Sequence, residues 1–386
     1  MRGLTLDRLA RFIGPTGLTK QDGTVATDVH YDYAIHRDGR IKGTVDGTYV
    51  FSGFDIATEG GETAKLDEAT LKVELRQDLL PDGSASATGQ VRLSGDQLAL
   101  ATAAGDAIDL KSLDVAIDDV HLRKAAEERE RLYPRDPVAG AEAEATPSIV
   151  ELMIGWAREL GEDALDHHLS IDGRPEVTLA DGRVRLAPRD GTPGQDLRVG
   201  QVRIDLGEVK SETLDAGLEV KGALDTAITG LRLALQDGSA EVGLPAIKVA
   251  SRGIDYRATR AETALAFDLG VELSNITARE DQGGALQFDR FALTTERFRI
   301  AETAVTEEAG GPLAVKLEDI TFTLPGADGD LDLRSTALNL DLAPFTLHGK
   351  QGEAASFAGS LVVENVAIDR AGSSPLSASL SSARGD

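Results

Sequence analysis

Apolar side chains recur at every second position along most of this 386-residue chain. In the stretch 24–36, Val25, Thr27, Val29, Tyr31, Tyr33 and Ile35 share one parity, while Ala26, Asp28, His30, Asp32 and His36 share the other. A period of two sends one set to a buried face and the other to water, so the pattern predicts a half-buried β-strand. Repeated along the chain, it predicts a mostly β fold, a long antiparallel meander.

Asp-Gly pairs punctuate the strands and make register testable. Directly opposed residues of an antiparallel pair share a face, so a two-residue loop swaps the parity of the apolar set and a three-residue loop keeps it. In "TLADGRVRL" (178–186) the parity swaps, so a two-residue loop at Asp181-Gly182 is expected to pair Leu179 with Val184 and Val177 with Leu186. At Asp237-Gly238 the same rule pairs Leu235 with Ala240, Leu233 with Val242 and Leu231 with Leu244, and at Asp328-Gly329 it sets Leu324 opposite Leu333. Parity is kept around Pro81-Asp82-Gly83, which predicts Leu79 opposite Ala85, Val73 opposite Val91 and Leu71 opposite Leu93. It is kept again around Arg37-Asp38-Gly39, which predicts Ile35 opposite Ile41 and Tyr33 opposite Gly43.

A looser recurrence joins "VAIDDVHL" (115–122), "VELSNITA" (271–278), "VKLEDITFTL" (315–324) and "VVENVAI" (362–368). Each alternates, meets Asp or Asn, and resumes one residue out of step. Such a slip reads either as a β-bulge that turns the strand or as a strand end with an Asx turn.

Two regions break the alternation. Residues 124–145 are charged, Ala-rich and interrupted by Pro134 and Pro137, a short helical piece followed by a linker. Ser148 then begins a capping box with Glu151, and Ile149, Leu152, Met153, Trp156 and Leu160 fall on one face of a helix over 148–160. That helix either caps the sheet or plugs an apolar cavity through Leu152, Met153 and Trp156. A shorter N-terminal helix is expected over 5–13, with Leu6, Leu9, Phe12 and Ile13 inward. The resulting organisation is an N-terminal meander over 1–123, a charged linker with an amphipathic helix over 124–170, and a second meander over 171–386 that continues the same sheet.

Charge narrows the partners. Forty basic against 65 acidic residues leave a net charge of −25, which repels nucleic-acid backbones and anionic membrane surfaces. There is no cysteine, so disulfides, thiolate metal sites and Cys nucleophiles are excluded. Neither a signal peptide nor a transmembrane run is visible, so a complete chain would be cytoplasmic. No nucleophile elbow, phosphate loop, dinucleotide fingerprint or zinc helix occurs. His167 and His168 are adjacent and diverge on a strand, and His30 and His36 share a polar face without a closed ligand set. "GADGDLDL" (326–333) has acidic spacing but lacks the helical context and terminal Glu of a calcium loop. The expectation is a protein without enzymatic activity, metal or cofactor.

A long meander must hide its apolar face, as a two-layer sandwich, a closed barrel or a trough around a greasy interior. Aromatic residues make only 4% of the chain, few for a packed sandwich, and the charged opposite face excludes a membrane barrel. The irregular repeat, the Leu-rich hairpins turned by Asp-Gly and the interrupting amphipathic helix together resemble the AsmA-like envelope proteins. The likeness is to their DUF748-like branch, relatives of the bridge-like lipid transfer proteins. The resemblance implies a β-taco, an elongated groove in the periplasm or cell envelope that binds phospholipid or other acyl chains on its aliphatic floor. Its N-terminal membrane anchor has no counterpart here, as expected of an internal portion that meets envelope membrane proteins through termini beyond this chain. The residues expected to line the groove are Val73, Leu75, Val91, Leu93, Val177, Leu179, Val184, Leu186, Leu231, Leu233, Val242 and Leu244. The alternative is a structural or surface β-sandwich array whose packed interior binds nothing.

Overall fold

The computed structural model describes residues 4–5, 18–124, 169–189, 191–214, 217–259, 262–303, 307–327, 329–348, 358–370 and 375–385. They form β1 (Leu4–Thr5), β2 (Leu18–Ile35), β3 (Ile41–Thr58), β4 (Thr63–Leu79), β5 (Ala85–Ala101), β6 (Ala107–Lys124), β7 (Leu169–Leu186), β8 (Gln195–Asp205) and β9 (Lys210–Leu214). These are followed by β10 (Gly217–Leu235), β11 (Ala240–Thr259), β12 (Glu262–Glu280), β13 (Ala285–Thr303), β14 (Glu307–Leu324), β15 (Leu331–His348), β16 (Gly359–Arg370) and β17 (Leu376–Gly385). The described residues contain no helix. Of the helix expected over 5–13, Thr5 instead pairs with Thr24 as part of β1, and the remainder lies outside the described residues, as does the whole of 148–160.

Two compact units divide the chain: Met1–Ala180 with Leu206–Val220, and Asp181–Asp205 with Lys221–Asp386. In the first, β2 to β6 form an antiparallel meander in which each strand pairs with the next. In the second, β11 to β17 do the same, and β10 pairs with β8.

The turns explain why the strands end where they do. Around Arg37-Asp38-Gly39, His36 and Arg40 close the loop, Gly39 takes a positive φ of 85°, and the Arg40 N–H donates to Asp38 Oδ1 at 3.1 Å. Around Pro81-Asp82-Gly83 the same arrangement recurs, with Gly83 at φ 87° and the Ser84 N–H on Asp82 Oδ1 at 2.9 Å. Glycine supplies the left-handed conformation and aspartate holds the chain two residues on. Both hairpins have the expected register: Ile35 faces Ile41, Tyr33 faces Gly43, Leu79 faces Ala85, Val73 faces Val91 and Leu71 faces Leu93. Thr58–Gly61 and Thr102–Gly105 close in the same way without an Asp-Gly pair. Gly39, Gly61, Gly83 and Gly105 therefore follow one another at a constant spacing of 22 residues, one strand and one turn.

Asp181-Gly182 is different. No hairpin forms there: β7 runs straight through the pair, so Leu179 does not face Val184 and Val177 does not face Leu186. Here Asp181 itself adopts the left-handed conformation, at φ 50°. The parity swap is real, but its cause is a local irregularity within one strand. The same backbone state occurs at Asp119, Asn275, Asp319 and Asn365, at φ 49–53°. These are the polar residues of the four segments that resume out of step, and "VTLADG" (177–182) is a further copy of that pattern. At Asp119 the strand bulges, since Gly89 faces Val120 while Val91 faces Ile117. Asn275, Asp319 and Asn365 cause no register shift, because the neighbouring strands change phase at the same level.

Two further reversals can be placed. The chain turns between Leu235 and Ala240, with the Gly238 N–H donating to the Leu235 carbonyl and the Ser239 N–H to Asp237 Oδ1, each at 3.0 Å; these are the bonds of the three-residue loops at Gly39 and Gly83, not of the expected two-residue loop. Between β14 and β15, Leu324 faces Leu331, and Leu333 faces Phe322. The expected Leu324–Leu333 pair is thus displaced by two residues. The connection runs from Pro325 to Asp330, longer than a two-residue loop, but a two-residue displacement keeps both leucines on the same face.

Candidate functional site

The registers gather aliphatic residues into rows that cross each sheet at right angles to its strands. In the first unit Val29, Gly47, Val73, Val91 and Ile117 form one row, and Thr27, Tyr49, Leu71, Leu93 and Val115 the next. In the second unit Ile247, Leu273, Phe291, Leu317, Leu338 and Val363 form a row. Across the seam made by Asn275 and its counterparts, Val242, Ala278, Leu286, Phe322, Leu333 and Ile368 form another. Leu273 and Ile276 are three positions apart, yet the left-handed Asn275 between them keeps both on the apolar side: Ile276 is buried while Asn275 is exposed.

Cross-strand neighbours shield these side chains without enclosing them. Among the described residues no large side chain is fully buried; the buried apolar ones are Ala69, Val120, Ala258, Ile276, Ala301 and Ala337. A packed domain of this many strands would enclose several Leu, Phe or Ile side chains completely. Each face is therefore a single layer of half-buried aliphatic groups. Val73, Leu75, Val91 and Leu93 stand in the first unit in this half-buried state, with Val73 opposite Val91 and Leu75 opposite Gly89. Val177 and Leu179 are half-buried on β7 in the first unit, and Val184 in the second, while Leu186 is exposed. Leu231, Val242 and Leu244 are half-buried, and Leu233, opposite Leu197, is exposed. Leu152, Met153 and Trp156 lie outside the described residues.

Three polar groups at the irregular levels of the second unit are paired locally, while the buried Ser251 hydroxyl has no hydrogen-bond partner among the described residues. The buried Ser335 hydroxyl donates to the Glu364 carbonyl at 2.9 Å, and the Thr295 hydroxyl to the Pro312 carbonyl at 2.5 Å. Asn365 Nδ2 donates to Thr336 Oγ1 at 2.9 Å. Backbone carbonyls released from regular pairing thus regain donors without an added charge.

The opposite face carries the charge. Gln90 bonds Glu74 at 2.6 Å, Arg92 pairs with Asp118 at 3.2 Å, and Lys20 with Asp55 at 2.7 Å. The strongest cluster surrounds Asp196 in the second unit. Arg183 donates to both its oxygens at 2.8 and 2.7 Å, and Arg198 adds a bond at 2.9 Å. Hydrogen bonds from Arg183, then from Arg198, hold the Asp196 carboxyl far below the usual carboxylate range. A depressed folded pKa stabilises the fold above the unfolded value near pH 4, and that contribution is lost as pH falls from there through the folded value. Asp196→Asn is expected to lower stability at pH 7 by about 1–2 kcal/mol, a figure reduced for the solvent-screened guanidiniums, and to flatten the acid side of the stability curve. Urea unfolding at pH 7 and pH 3 checks this: equal losses at both values would exclude the charge as the cause.

The described residues hold no group of three or more His, Asp or Glu placed to bind a metal ion, and no helix of theirs is long and apolar enough to cross a membrane. No family model, curated protein or solved structure matches the chain.

Proposed function

We infer that the chain binds lipid without chemical conversion, holding acyl chains on its aliphatic faces within the cell envelope, and that these faces serve lipid transport. The observation that carries this reading is the pairing of largely apolar cross-strand rows with the lack of any fully enclosed large side chain among the described residues. A packed array that binds nothing needs a filled interior. A lipid-bearing face needs apolar surface left uncovered until cargo arrives. Each methylene transferred from water to such a surface contributes about 0.8 kcal/mol when fully covered, without any placed polar group. A curved, taco-like sheet would increase that coverage, and a bulge such as the one at Asp119 is a device that bends a strand.

Protein purified without detergent is expected to carry phospholipid. Extraction and mass spectrometry should find acyl lipid in at least about equimolar amount, since the two acyl chains of a phospholipid supply the two anchors that stable retention takes. A lipid-free preparation that also fails to take up lipid from vesicles would leave the packed array as the better reading.

A further inference from the structure

At the end of the first unit, the turns Arg37–Gly39 and Pro81–Gly83 lie side by side, close enough that a methyl on Gly39 would stand 3.4 Å from Pro81 Cγ. Beside them the apolar face sinks into a depression of about 630 Å³ lined by Tyr33, Ile35, Ile41, Leu79, Ala87 and Leu122, among others. Small residues make the hollow: Ala85 and Ala87 face Leu79 and Gln77, and Gly43 faces both Tyr33 and Gln77. The Tyr33 ring lies across Gly43, where any Cβ would overlap it, and its hydroxyl bonds Gln77 Oε1 at 3.1 Å. Tyr31 stacks on the same ring with 6.1 Å between centroids. Ile35 forms part of the wall and is 78% exposed.

We propose that this depression is a specific seat for one long hydrocarbon chain of an amphiphile, with Tyr33 as its fixed wall. The proposal rests on the lipid-binding reading above and assigns it a place. The volume lies in the range of pockets that enclose small-molecule ligands. The occupant follows from what the walls lack. The backbone groups of β3 and β4, which floor the hollow, are committed on both sides to the β2–β3, β3–β4 and β4–β5 ladders, so a peptide segment lying over them would enter with its own amides and carbonyls unpartnered. The one lining carboxylate, Asp78, is already paired with Arg40, which also lowers its pKa, so no counter-charge is left for an ionic group. A hydrocarbon chain asks for neither, and its head group stays in water.

The test uses the full chain and cis-parinaric acid, a fatty-acid probe whose fluorescence rises in apolar surroundings. The wild type should bind it saturably. Ala87→Phe, which fills the hollow, should weaken binding about tenfold, and Ile35→Ser, which removes exposed wall without touching packed structure, about threefold. Lys248→Gln, on the charged face of the second unit between Ile247 and Val249, should change nothing. Hexadecanol and palmitate should displace the probe within about threefold of each other, because no cation lines the seat. Binding that survives both Ala87→Phe and Ile35→Ser would overturn the seat and leave the lipid reading standing, and a preference for palmitate would overturn the neutral entry. A wild type that binds no probe would overturn both. Circular dichroism separates loss of the seat from loss of the fold in Ala87→Phe, and the exposed Ile35 decides the matter if that variant does not fold.

Discussion

Gly89→Ala is expected to destabilise the first unit by about 3 kcal/mol, through a clash that no side chain can relieve. A Cβ at position 89 would overlap the Glu74 carbonyl oxygen and stand 3.0 Å from Leu75 Cα, both backbone atoms of the neighbouring strand. Gly89 faces Leu75 on one side and Val120 on the other, next to the bulge at Asp119. The adjoining strands therefore close in at this point, and only a residue without a side chain lets them do so. Gly53→Ala makes the control. Nothing lies within 4 Å of a Cβ there, and the loss should be about 1 kcal/mol from its positive φ alone. Urea titrations should show the midpoint of Gly89→Ala falling well below that of Gly53→Ala with little change in slope. Equal midpoints would mean that β4 and β5 are not so closely apposed at Gly89.

The contrast between Asp82-Gly83 and Asp181-Gly182 shows what alternation alone can convey. At both places the residue order is the same, and at both the parity of the flanking apolar residues is informative. At the first, Gly83 is left-handed and the Asp82 carboxylate holds Ser84, so the chain reverses. At the second, the aspartate is left-handed and the strand continues. A change of phase reports that one residue has left the extended conformation, but not whether the chain then turns back. The run before it separates it from Asp82-Gly83: "VTLAD" matches "VELSN" and "VKLED", whereas "DLLPD" does not. Turns at Thr58–Gly61 and Thr102–Gly105 escaped for the opposite reason, since their sequences "TEGGE" and "TAAGD" lack Asp-Gly, although the spacing of 22 residues passes through them.

The candidate lining residues were legible because half-burial follows directly from period two. Their degree of exposure was not, and Leu186 and Leu233 emerge more open than their neighbours. The seat beside Tyr33 was legible only in part. The pairing of Tyr33 with Gly43 follows from the turn, but a hollow depends on the small residues Ala85 and Ala87, two strands beyond Gly43. Alternation assigns a face to each of these residues without saying how deep the surface beneath it will be.

The largest effect is expected from the seam of the second unit. Asn275, Asp319 and Asn365 lie on alternate strands, at one level across the sheet, each left-handed. Asparagine and aspartate tolerate that conformation where β-branched residues do not, at a difference of about 1–2 kcal/mol per site. Neighbouring sites are about 10 Å apart, two strand spacings, so their effects should nearly add. Replacing all three by valine should therefore remove about 3–6 kcal/mol, enough to unfold a unit at the low end of ordinary stability or drive it into a flatter sheet with its phase broken. Replacing all three by glycine should change stability far less, by about 1 kcal/mol. Most of that loss is expected at Asn365, whose amide gives up its bond to Thr336. Denaturant midpoints of the two triple variants measure the difference. If the valine and glycine variants unfold together, the left-handed seam does not hold the apolar rows on one side, and the apolar face on which the proposed lipid binding depends would need another origin.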